Sequence, residues 1–142
     1  MSPADRVKNF IRQMLEWEAS FHAEKKSDSY KDDPEYRNKI NNDARSELRS
    51  IFSDNLSERA LSRFGAARLE TLSTSRPPEY DQVVLKDTEE RSGEVVSIET
   101  VRQKGLKQRY CYTLIIENGD QKIDGVSIWR ASTGEWQLRN AI

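Results

Sequence analysis

Apolar positions in the first half of the chain recur every three or four residues, whereas in the last third they alternate or run on, so the period itself predicts helices followed by strands. Val7, Phe10, Ile11, Met14, Leu15, Glu18 and Phe21 share one stripe, apolar except at Glu18, with Trp17 toward its edge. Ser2 can cap this helix, Pro3 suits its first turn and Asp5 suits the positive end of its dipole. Residues 23–33 alternate in charge and read as a solvated connection. Asp33-Pro34 repeats the cap-then-proline start, and Tyr36, Ile40, Ala44, Leu48, Ile51 and Phe52 give the second helix its buried face. Asn55-Leu-Ser-Glu58 predicts a third start, with Leu56, Ala60, Leu61 and Phe64 lined up before a stop at Gly65. Residues 66–79 fit helix or strand equally and are taken as a connection closed by Arg76-Pro77-Pro78.

The period then changes. Tyr80–Leu85 reads as a short strand, Lys86–Ser92 as a charged turn, and Gly93–Arg102 as a long strand that turns at Lys104-Gly105 into Arg109–Glu117. In that strand Tyr110, Tyr112, Leu114 and Ile116 share one face and Cys111, Thr113 and Ile115 the other, and both are largely apolar or aromatic. Asn118-Gly119 is a strong hairpin signal leading into Lys122–Arg130, and Ala131–Glu135 turns the chain into Trp136–Arg139. Gly125, inside a strand, can supply a bend. Helices followed by an antiparallel meander predict an α+β domain, with three N-terminal helices on one face of the sheet. Nine residues at about 3.4 Å each span roughly 30 Å, long enough that the sheet should curve around the helices.

Composition narrows the chemistry. A chain of 142 residues suits one domain with one core. With 23 basic and 24 acidic side chains the net charge is −1, so no overall field draws the protein to nucleic acid or to an anionic membrane. No apolar run reaches the length of a membrane span and no leader pattern opens the chain, which predicts a cytoplasmic protein. The single cysteine, Cys111, excludes a disulfide framework and a thiolate metal cluster, and its place in a strand predicts a buried, inert thiol. The single histidine, His22, ends the first helix and reads as a partly exposed residue there rather than as a catalyst. Metal-ligand pairs, nucleophile elbows and phosphate loops are absent, so no cofactor is expected.

Two kinds of site remain open. A binding surface needs aromatic and Arg anchors, and Trp129, Arg130, Trp136 and Arg139 gather around one turn and its flanking strands. An enzyme needs a pocket: Asp124 beside Gly125 could act as a base with Tyr110 or Tyr112 as proton donor, and Asp81 is a second carboxylate of the same kind. Their plainer readings are a hairpin-edge carboxylate and core aromatics.

The order of a long amphipathic helix, shorter helices and a closing meander, with Ile128-Trp129-Arg130, a Gly turn and Glu135-Trp136-Gln137-Leu138 at its end, resembles the nuclear transport factor 2-like superfamily. The resemblance covers the whole chain, 1–142, and implies a single domain whose strongly curved antiparallel sheet folds into a cone. A cystatin-like layout is the alternative. Within the superfamily the high charge density, small size and scarcity of histidine are most similar to the immunity proteins of bacterial polymorphic toxin systems. That likeness implies a non-catalytic partner of a cognate toxin domain; the alternative is a small-molecule-binding or lyase/isomerase-type enzyme with a pocket inside the cone. For a toxin with a basic surface, the acidic turn with Asp87, Glu89 and Glu90 supplies complementary charge. A homodimer through the apolar sheet face is the further expectation.

Overall fold

The first helix begins where its cap and proline predict. In the computed structural model, which describes residues 1–142, Ser2 accepts the Asp5 N–H and α1 runs Pro3–Lys25. A short helix, α2 (Asp28–Asp32), follows inside the connection expected to be irregular; it is capped by Ser27 and buries nothing. Asp33 caps α3 (Pro34–Asn55). The third helical stretch differs most from expectation. Asn55 ends α3, and Ser57 is the residue that caps α4 (Glu58–Ala60), by accepting the Ala60 N–H. Gly65 does not stop the helix: a π-helical turn, Leu61–Gly65, carries it into α5 (Ala66–Thr71), which ends at Leu72 with φ of 48°. A Cβ on Gly65 would lie 3.1 Å from Phe52 Cδ2, so glycine is there to let α3 approach rather than to break a helix.

Six strands form one antiparallel sheet: β1 (Gln82–Val84), β2 (Glu90–Ser92), β3 (Val95–Arg102), β4 (Arg109–Glu117), β5 (Asp120–Arg130) and β6 (Glu135–Leu138). The path is β1-β3-β4-β5-β6, and β2, a strand within the predicted charged turn, shares the β1 edge of β3. Asn118 and Gly119 both take positive φ, 52° and 77°, as a tight two-residue hairpin requires. Between Thr113 and Leu114 the register slips, because β5 holds one extra residue, Asp124, between Ile123 and Gly125. Such a bulge bends the strand and raises its twist. The open edge of β5 at this point is covered by α3's exit, where Leu56 bridges Ile123 and the Ser57 N–H bonds the Ile123 carbonyl.

The helices cover the inner face, an α+β arrangement consistent with the expected nuclear transport factor 2-like fold. Val7, Phe10 and Met14 of α1 and Leu48 and Phe52 of α3 meet Val96, Ile98, Tyr112, Leu114 and Ile123 of the sheet. Phe10 is the centre, edge-on to Tyr80 (5.8 Å between centroids) and Tyr112 (6.3 Å). Trp17, expected at the stripe's edge, is 3% exposed and donates to the Ala44 carbonyl. Ile142 returns to the core, its N–H on the Phe64 carbonyl. Ile116 departs from the pattern: it shares a face with Tyr112 but lies next to the hairpin and is exposed.

Glu18, the one polar member of the α1 stripe, is 1% exposed and has a structural task. Its carboxylate accepts the N–H groups of Ser75, Glu79 and Tyr80 at 3.2, 3.2 and 3.0 Å, fixing the segment that leads into β1.

Candidate protein-binding surface

Alternation divides the predicted residues between the two faces of the sheet. In the paired row Val101, Arg109, Trp129 and Trp136, every side chain points away from the helices. Trp129 and Trp136 meet at 5.3 Å between centroids with planes at 67°, and the Arg109 guanidinium sits 5.7 and 5.6 Å from the two rings. Glu99 pairs with Arg109 from β3, so the guanidinium is held from one side by a carboxylate and from the other by two indoles. Trp136 is 37% exposed and Leu138, two pairs along on the same face, 51% exposed. Arg130, the residue after Trp129, alternates to the other face, where it is exposed and donates to Gln137 across the strand pair. Arg109, which the sequence reading left out of the cluster, is its centre; its position opposite Trp129 in the hairpin register was the available signal.

Arg139 does not belong to this group. It falls on the opposite side of β6's end, pairs with Glu79, and lines a cleft of about 190 Å³ with Arg102, Leu106, Gln108, Tyr110 and Ile128. Burial works to lower the Arg139 guanidinium, but Tyr80 and Glu79 outweigh it and its pKa rises. Tyr110 is raised, by burial first and then by Glu79. Asp87, Glu89 and Glu90 are exposed at or beside β2, on the other edge of the sheet. Four strand spacings of about 4.8 Å separate β2 from β6, roughly 19 Å. A standard interface of about 800 Å² per partner has a diameter near 32 Å, so both groups fit in one footprint.

The four residues considered for a pocket are not brought together. Asp124, turned inward by the bulge and 8% exposed, accepts from Ser57 Oγ at 2.7 Å and pairs with Arg59. Tyr112 lies in the core and donates to Gln82 Oε1 at 2.8 Å, an oxygen that also accepts from Thr100 at 2.6 Å. Asp81 stands outside, 3.2 Å from Gln103 Nε2 and 3.9 Å from Lys104 Nζ. Tyr110 alone of the four reaches the cleft at Arg139. Cys111 is half-buried on the outer face rather than in the core, as expected of it; burial, followed by the nearby Glu99, raises its pKa and keeps it a thiol. His22 is partly exposed at the end of α1, where burial and then Arg76, Lys26 and Lys25 lower its pKa. No His, Cys, Asp and Glu cluster that could hold a metal is formed, and no helix is long and apolar enough to cross a membrane.

Comparison with known proteins adds one finding. The family model for NTF2 fold immunity proteins matches residues 2–140. No curated protein and no solved structure matches the chain. With helices gathered on the inner face of a bulged antiparallel sheet and a match over nearly its whole length, the chain belongs to the NTF2 fold immunity protein family.

Proposed function

We propose that the chain acts without catalysis, by binding a cognate toxin domain through the outer face of β4, β5 and β6. The observation that carries this is the Trp129, Trp136 and Arg109 cluster: three side chains of the types that dominate binding energy, stacked in one place on a strand face that no element of the fold covers. The carboxylates of Asp87, Glu89 and Glu90 at the other edge favour a basic toxin surface and a faster encounter. The acidic edge and the aromatic end together make a footprint that one domain can cover. On this reading the protein works in the cytoplasm of the cell that makes the toxin, where unbound toxin would otherwise act.

The test is co-expression with the toxin domain encoded beside its gene, scoring growth and co-purification. The wild-type chain should rescue growth and hold the toxin through purification. Trp136→Ala and Trp129→Ala should each weaken the complex about 30-fold or more, the loss of a binding anchor worth about 2 kcal/mol. Wild-type affinity in both variants would rule out this face. A homodimer is the competing occupant: a species at twice the monomer mass that dissociates in Trp136→Ala would assign the face to a second copy instead.

A further inference from the structure

Away from the sheet, around the end of α1, several cations lie near one another without a carboxylate partner. Lys25 Nζ donates to Thr74 Oγ1 at 2.8 Å, and His22 Nδ1 lies 3.3 Å from the same hydroxyl. Arg68 of α5 is 5% exposed, and its buried Nε has no acceptor; His22 Nε2 is likewise buried and unpartnered. Arg76 and Lys26 are close enough to act on His22, and Arg68 on Lys25. None of Lys25, Lys26, Arg68 and Arg76 has a carboxylate within 4.0 Å.

Local structure explains part of this gathering. The C-terminal turn of α1 favours cations at His22 and Lys25, and the Arg68 guanidinium lies 6.0 Å from the Tyr80 ring. Neither fills the empty donors. The buried carboxylates nearby are committed elsewhere: Glu18 to the backbone N–H groups of Ser75, Glu79 and Tyr80, and Glu79 to Arg139. A buried guanidinium with an unmet donor is a costly arrangement that an anion relieves.

We infer that His22 and Lys25, which meet at the Thr74 hydroxyl, form with the neighbouring Arg68 and Arg76 a binding site for a small oxyanion, of the phosphate class in preference to a monocarboxylate. The preference follows from charge: Lys25, Arg68 and Arg76 give three cations, with Lys26 beside them, and a dianion gains from each of them twice what a monoanion gains. The Thr74 hydroxyl accepts from Lys25, and when His22 Nδ1 carries a proton and donates to the same oxygen, the hydroxyl proton is left to donate to the anion. None of these residues lies on the outer sheet face, so the site stands independently of toxin binding.

The probe is inorganic phosphate, titrated against the full chain at constant ionic strength set with chloride. The thermal midpoint should rise and saturate, with acetate at least about tenfold weaker. In parallel the imidazole resonances of His22, the one histidine, should titrate at higher pH with phosphate bound, since an anion offsets the cations that lower its pKa. Lys25→Met together with Arg76→Gln should abolish both effects. Arg68→Met should do the same and, because Arg68 is buried, is judged only if it folds. A midpoint that does not saturate, an unmoved His22 titration, or full phosphate binding in the Lys25→Met, Arg76→Gln protein would each overturn the assignment.

Discussion

Replacing Glu18 by Gln should be the most damaging conservative change in the protein. The carboxylate holds three backbone N–H groups at 3.0 to 3.2 Å while 1% exposed. Glutamine keeps one acceptor oxygen and turns the other into an NH2 donor that faces at least one backbone donor. A charge-assisted bond contributes about 1.5–3 kcal/mol, and a buried N–H left without an acceptor costs about 1–3 kcal/mol. Adding all three bonds gives about 6 kcal/mol, but the neutral amide is also easier to bury than the carboxylate, which offsets part of the loss. We therefore expect about 3 kcal/mol, which at roughly 3 °C per kcal/mol for a chain of this size lowers the midpoint by about 10 °C. Urea unfolding monitored by circular dichroism reads this directly, with an unchanged m-value if the denatured state is unaffected. Glu16→Gln is the control: Glu16 lies one turn-half away, is 69% exposed in its side chain and pairs only with Arg12, so it should change stability by less than about 0.5 kcal/mol. A Glu18→Gln loss below about 1 kcal/mol would refute the idea that this carboxylate fixes residues 75–80.

Three further outcomes test other parts of the fold. Gly65→Val should destabilise by about 2 kcal/mol, because even its Cβ falls 3.1 Å from Phe52 Cδ2 and a branched side chain cannot turn away; calorimetry showing a stabilised variant would contradict this. Asp124→Ala should cost about 2 kcal/mol by leaving the buried Ser57 hydroxyl without its acceptor, and Asp124→Asn, which keeps an acceptor oxygen, should cost less; equal urea midpoints for the two would show that the Ser57 contact is unimportant. Tyr80, Tyr110 and Tyr112 all have pKa values raised mainly by burial, so their neutral forms stabilise the fold up to the ordinary phenol value near 10, and that contribution is lost as pH rises through their folded values. Phenolate absorbance should therefore show these three titrating together with unfolding, and a smooth titration of all tyrosines in a protein still folded would count against their burial.

Element order and type were legible because they rest on periodicity and caps. Ser2-Pro3, Asp33-Pro34 and Asn118-Gly119 each encode a local backbone choice, and each appears in the structure. What was not legible depends on partners distant in sequence. Gly65 looks like a helix stop until Phe52 is seen against it. Glu18 looks like a flaw in an apolar stripe until three N–H groups from residues 75–80 reach it. Asp124 has a facing that cannot be read by alternation, since a bulge resets the period there. For the outer face, grouping by nearness in sequence joined Trp129 and Trp136 but added Arg130 and Arg139, which alternation sends to the other side, and omitted Arg109, which only strand pairing supplies.

The division of the sheet explains why its outer face is fit for binding. Both faces of β4 carry apolar or aromatic side chains, yet the helices can cover one only. The inner set, Tyr110, Tyr112 and Leu114, is spent on packing, with the Tyr112 hydroxyl already satisfied by Gln82. That packing anchors the same strands whose alternate residues project outward, so Arg109 and Trp129 stand on a backbone that cannot yield. The stacking of Arg109 on Trp129 and Trp136, with Glu99 behind Arg109, further limits the rotamers open to them in the free protein. Ordering a flexible side chain at an interface costs about 0.5–1.5 kcal/mol, and anchors already held in place lose less of it. The same inward-outward alternation that builds the core thus leaves an aromatic and cationic face uncovered, and it is this surface that the proposed binding of a toxin domain would use.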